Sequence, residues 1–161
     1  MTGYVTTLHV MRVTVLPRLL CEALPDVPGR AFISITNPRQ APAHLPAGQP
    51  ILRLGFHDIE SPMLGWQAMT RRDAAVTIRF IESLPPETEE LVVHCEYGAS
   101  RSSAIGRFSA AWLGCALAWS GEGTPNPWVS QLLLRGAMRH AWFKPQCWQK
   151  ILRAWRAATQ P

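Results

Sequence analysis

The period of hydrophobic and polar positions changes several times along the chain, and each change marks an element. Residues 9–15 are rich in Val and run up to Pro17, and residues 31–36, Ala-Phe-Ile-Ser-Ile-Thr, are closed by Asn37-Pro38; both read as strands. Residues 19–24 between them suit a short helix. Four prolines and a glycine in 38–50 predict an irregular loop leading into a third strand at 51–56, and a polar turn follows over 57–67. Thr70-x-x-Asp73 has the form of a helix N-cap box. Ala74, Ile78 and Ile81 then recur at helical spacing until Pro85-Pro86. Leu91-Val92-Val93 is a short apolar run of the kind a buried parallel strand shows. From Ser102, the positions Ile105, Phe108, Trp112 and Cys115 keep helical spacing, which predicts a helix reaching Trp119 with Cys115 in its buried stripe. Asn126 and Pro127 suit the cap and first turn of another helix, and a last one is expected over 145–158. The order strand, helix, strand, strand, helix, strand and three helices predicts an α/β domain with a mostly parallel central sheet flanked by helices.

Length narrows this to one domain: 161 residues, 47% of them hydrophobic, are enough for one core and too few for two. No apolar run approaches the roughly 18 residues that span a bilayer, and the first residues lack the order of a secretory signal, so no membrane span and a cytoplasmic location are expected. The four cysteines, Cys21, Cys95, Cys115 and Cys147, are scattered and are expected as free thiols. The five histidines, His9, His44, His57, His94 and His140, show neither i, i+4 pairing nor a cysteine at zinc-finger spacing, so neither a metal nor another cofactor is expected. The net charge of +5 lies wholly in the last forty-one residues, since basic and acidic groups balance over 1–120. In the final predicted helix, Trp148, Ile151, Leu152 and Trp155 form one stripe, expected to pack on the domain. Lys150, Arg153 and Arg156 form another, expected in water or against an anionic partner. Trp128 and Trp142 read as packing residues, and nucleic acid is not an expected partner.

The junction between the buried strand and the next helix carries the chemistry: His94-Cys95-Glu96-Tyr97-Gly98-Ala99-Ser100-Arg101-Ser102, or H-C-x5-R-S. A bare C-x5-R is common by chance, but His before it and Ser after it make it specific. A phosphate-like anion is held best by main-chain N–H groups converging from a tight loop into a helix N-terminus. Five residues from Cys to Arg suffice for residues 96–100 to circle one tetrahedral anion. Gly98 supplies the unusual backbone angles such a loop needs. Arg101 can return to bind two anion oxygens through its planar fork. The same surroundings favour the thiolate, the reactive form of a cysteine.

This segment resembles the signature loop of the cysteine-dependent protein tyrosine phosphatases, above all their small dual-specificity branch, and the run Phe56-His57-Asp58-Ile59 is similar to that of predicted bacterial members. The resemblance covers residues 51–119 by specific positions and the rest by element order. It implies that Cys95 attacks phosphorus to give a phosphocysteine, Arg101 binds the phosphoryl oxygens, Ser102 assists the thiolate as leaving group, and His94 orders the loop. It further implies an aspartate general acid on a loop upstream. Asp58, 37 positions before Cys95 and just after the third strand, fits; Asp73 lies inside the cap box and Glu60 is displaced by two residues. Tyr97 and Trp66 are candidates for the pocket rim.

The expected function is therefore a phosphomonoester hydrolase acting on phosphotyrosine proteins, with phosphoserine and phosphothreonine also within its reach. Other readings stand beside it. A loop-capping role for Asp58 and a helix-start role for Ser102 are the ordinary alternatives. The same loop could serve a phosphate-recognition module without turnover, sulfur transfer or arsenate reduction, or hydrolysis of a phosphoinositide or RNA 5′-phosphate, because it recognises the phosphoryl group and not its carrier.

Overall fold

The computed structural model describes residues 11–119 and 123–159. Five strands, β1 Arg12–Pro17, β2 Arg30–Thr36, β3 Ile51–Gly55, β4 Glu90–Cys95 and β5 Ala116–Trp119, form one sheet in the order β3-β2-β4-β1-β5. Every neighbouring pair is parallel, so the α/β class and the central sheet stand as expected. The helices are α1 Arg18–Glu22, α2 Arg71–Glu82, α3 Arg101–Leu113, α4 Pro127–Phe143 and α5 Trp148–Thr159, the last entered through a 3-10 turn at Pro145–Cys147.

Strand β4 lies at the centre, with all six residues buried. Its alternate side chains serve two cores, as the pleat requires. Leu91, Val93 and Cys95 join Val13, Val15, Ile33 and Ile35 in the larger core, completed by α2 to α5. Val92 joins Phe32 and Cys21 in a smaller one, closed by Leu16, Leu24, Leu45 and Ile51. Burial pushes the Cys21 thiol up to about 12, so it is an inert packing group.

The cap box at Thr70 and Asp73 forms in both directions, Asn126 caps α4 by accepting from the Val129 N–H, and Pro127 opens that helix. The expected strand at 9–15 begins at Arg12; its first two residues lie outside the described residues.

Three expectations are overturned. Trp142, expected as a packing residue, is 79% exposed on α4. The helix from the signature loop stops at Leu113 instead of Trp119: Gly114 takes the left-handed conformation (φ 71°), and its N–H closes on the Ala110 carbonyl. The chain beyond becomes the edge strand β5. Cys115 is therefore a half-buried residue after the helix, not a member of its stripe; desolvation raises its thiol pKa. The stripe on α5 also packs differently. Cys147, Ile151 and Ala154 are buried, while Trp148, Leu152 and Trp155 stay about half exposed. α5 lies against both α3 and α4, and small side chains such as Ala154 and Ala157 admit that approach where an indole would hold the helices apart.

Candidate active site

The loop of residues 96–100 leaves the C-terminal end of β4 and enters α3 at Arg101. The N–H groups of the first turn of α3 have no acceptor within the helix and open toward the loop. Gly98 has φ 69°, and a Cβ there would stand 2.5 Å from the Pro17 nitrogen and 2.7 Å from the Leu16 carbonyl carbon, so curvature and packing both demand glycine. Two further contacts pin the loop. The Arg18 N–H donates to the Glu96 carbonyl at 3.2 Å, and the Trp119 indole N–H donates to the Gly98 carbonyl at 3.0 Å.

Cys95 is buried, with Sγ 3.0 Å from Ser102 Oγ. Arg101 is 3% exposed. Its Nη1 donates to the Phe56 carbonyl at 2.7 Å and to Asn37 Oδ1 at 2.9 Å, and its buried Nε has no hydrogen-bond acceptor among the described residues. The nearest charge to that Nε is Asp58 Oδ2 at 3.8 Å, close enough for attraction and too far for a hydrogen bond. A buried guanidinium N–H without an acceptor is costly, and an oxyanion in the loop would satisfy it.

Asp58 thus lies at the loop, 42 residues from Ser100 in sequence. Its Oδ1 accepts from Ser100 Oγ and from Asn126 Nδ2, both at 2.8 Å. The segment carrying it is a closed excursion: the His57 N–H donates to the Gln67 carbonyl at 2.7 Å, and the Gln67 N–H to His57 Nδ1 at 3.0 Å. Trp66 packs edge-on against the His57 ring and is 54% exposed; Tyr97 is 81% exposed. Glu96 points away, its carboxylate accepting from Gln40 Nε2 at 3.0 Å, so it belongs to the loop through its main chain.

His94 faces the opposite side of the sheet from Cys95, toward its register partner Ser34 on β2, with Nε2 2.8 Å from Ser34 Oγ. Its Nδ1 lacks a well-formed hydrogen bond. Burial lowers its pKa to about 4, with partial compensation from the Cys95 main chain, so the ring is neutral at neutral pH.

The chain thus gathers Cys95, Gly98, Ser100, Arg101, Ser102 and Asp58 at one end of the sheet. Asn37, Asn126 and Trp119, which sequence reasoning passed over, hold the guanidinium, the carboxylate and the loop in place. Asn37 and Asn126 carried a signal, but one already used for strand closure and helix capping. Trp119 was hidden by the misplaced helix.

No protein-family model matches the chain, and no curated protein or solved structure does.

A second polar cluster lies away from the loop. Ligand-type atoms of Glu82, His140 and Cys147 come within 4.8 Å of one another, although sequence spacing pairs none of them. Lys144 and Lys150 place ammonium groups 3.3 and 3.7 Å from the same carboxylate, and His140 Nε2 lies at 2.8 Å. Burial works against the charge on Glu82, but the cations around it hold its pKa below the usual range. This is the chemistry of an ion-pair hub; two ammonium groups on the only carboxylate oppose a divalent cation.

Proposed function

We propose that the protein is a phosphomonoester hydrolase that works through a phosphocysteine, with phosphotyrosine in proteins as its main substrate class and phosphoserine or phosphothreonine as further ones. The reading rests most on one observation: the buried, acceptor-free Nε of Arg101 in the same loop as the Cys95–Ser102 pair. In the first step the Cys95 thiolate attacks phosphorus while the bond to the leaving oxygen breaks, and Asp58 delivers a proton to that oxygen. Arg101 and the loop N–H groups hold the equatorial oxygens, whose charge is greatest in the transition state. In the second step Asp58 takes a proton from water as water attacks phosphorus, the S–P bond breaks, and the Ser102 hydroxyl, 3.0 Å from Sγ, donates to the departing thiolate. The half-exposed indole of Trp66 and the ring of Tyr97 offer aromatic surface near the loop for a phenolic substrate.

The test is hydrolysis of an aryl phosphate by purified protein in the presence of a chelator, repeated with Cys95→Ser. Turnover that disappears in the variant, with phosphate bound to the cysteine in a quenched reaction, is the expected result. Unchanged activity in Cys95→Ser would overturn the reading. Phosphopeptide binding with no turnover by the parent protein would instead mark a recognition module.

A further inference from the structure

The outer face of the helical layer combines two features that a surface meeting only water does not need. The first is apolar. Met138 and Trp142 stand one turn apart on the solvent side of α4, 55% and 79% exposed, and Trp148 and Leu152 lie a turn apart on α5, 48% and 53% exposed. The two helices pack together and are joined by residues 144–147 alone, so Trp142 and Trp148 stand on either side of a short connection. Scattered exposed apolar residues need no explanation, but two indoles, a Met and a Leu on adjoining helix turns do.

The second is cationic. Lys144, in that connection, also lines a groove of about 920 Å³ between α2 and α4, whose other lining residues include Ala75, Ile78 and Gly136 and the arginines Arg71, Arg79, Arg135 and Arg139. None of these four guanidinium groups makes an ion pair or side-chain hydrogen bond within the described residues. The one acid among the groove's lining residues, Glu82, is already shared by His140, Lys144 and Lys150. Residues 121–161 hold six lysines and arginines against one acid, and three of those cations, Arg135, Arg139 and Lys144, line the groove.

We propose that this face, formed by α4, the start of α5 and the adjoining side of α2, docks peripherally on an anionic lipid bilayer. The arginines take the anionic headgroups, and Trp142 and Trp148 enter the interfacial layer. Three arguments favour a bilayer over an acidic protein. Indole rings are amphipathic and settle at headgroup depth. The apolar residues stand on the outer surfaces of helices, which a fluid surface can envelop while a folded partner would need a matching concavity. Unpaired cations flanking an apolar helix surface are the composition of interfacial helices. No helix among the described residues is long and apolar enough to cross a membrane, so the contact lies on the surface. The proposal is independent of the phosphatase reading, since none of these residues belongs to the Cys95 loop.

The experiment is co-sedimentation of the full chain with vesicles of phosphatidylcholine alone or mixed with phosphatidylglycerol, together with quenching of tryptophan emission by lipids brominated on their acyl chains. Binding to the mixed vesicles only, weakening with added salt and accompanied by quenching, is expected. Arg135→Glu with Arg139→Glu should weaken binding at least about tenfold, as charge reversal beside an anionic surface requires. Trp142→Ser with Trp148→Ser should remove most of the quenching. Both double variants should keep the parent circular dichroism and melting temperature, which separates lost docking from lost folding. Absence of binding to anionic vesicles would overturn the proposal, as would binding that neither double variant changes. Capture of poly-glutamate without capture of vesicles would overturn it in favour of an acidic protein partner.

Discussion

The two ends of strand β4 are finished differently. At its first residue, Glu90 accepts from Arg30 Nε at 2.8 Å, Arg12 Nε at 2.9 Å and Thr14 Oγ1 at 2.7 Å, bringing β1, β2 and β4 together on one carboxylate. Burial opposes the charge there, but the donors more than compensate, and the pKa is lowered. At its last residue and just beyond, the Cys95 thiol has Ser102 Oγ as its polar partner, Arg101 keeps a buried N–H without an acceptor among the described residues, and Gly98 holds a conformation other residues resist. One edge of the sheet satisfies its own polar groups. The other leaves the Arg101 Nε–H without an acceptor among the described residues, which the proposed function accounts for with a bound oxyanion.

That contrast can be broken at either end, and the largest effect belongs to the unfinished one. Cys95→Ser should reduce aryl phosphate turnover by more than about a thousandfold, as loss of a covalent nucleophile does. The urea midpoint should hardly move. Asp58→Asn, which preserves an acceptor for Ser100 and Asn126, should cut kcat by about a hundredfold or more for an alkyl phosphate and by much less for a nitrophenyl ester, whose leaving group needs no proton. An equal loss on both substrates would assign Asp58 to loop structure.

At the finished end the expected effect is on stability alone. Glu90→Ala leaves Arg30, about nine-tenths buried, without its counter-ion and should cost about 3 kcal/mol in urea unfolding, with kcat per folded molecule unchanged. Because the folded-state pKa of Glu90 is lowered, its contribution is present above the unfolded carboxylate's pKa and is lost as pH falls through the folded value. The smallest effect comes from His94, between the two ends. Its folded pKa of about 4 lies below that of an unfolded histidine, so the unfolded chain takes up the proton first as pH falls. Stability should drop by about 2 kcal/mol between neutral pH and about pH 5 from this group, given a free histidine near pH 6.5. His94→Asn should flatten that part of the profile; an unchanged slope would place the titration elsewhere.

Much of this was legible in the chain because its causes are local. Thr70 and Asp73 cap α2 through residues three apart, Asn126 and Pro127 start α4 within one turn, and the short apolar runs of β2 and β4 are those of strands buried on both faces. The spacing from Cys95 to Arg101 is local too, a loop whose length fits one anion. What failed was equally physical. A helical spacing of apolar residues carried the reading past Gly114, although glycine just beyond an apolar periodic run is a stop signal and Ala116–Trp119 then had room to pair beside β1.

The sequence alone determined most of the elements and the strand-to-helix loop between Cys95 and Arg101, because those depend on backbone propensities and spacings of a few residues. Only the tertiary structure decided that Asp58 meets Ser100 and Asn126, that Asn37 and the Phe56 carbonyl take one side of Arg101 and leave Nε without an acceptor, and that His94 turns toward Ser34 and away from the thiol. It also decided that α5 buries Ile151 and Ala154 while Trp148 and Leu152 stay in contact with solvent. Each of these joins residues tens of positions apart, or selects one face of a helix with two apolar flanks. The choice is made by which side chains can share a limited volume, and no single stretch of sequence contains that volume.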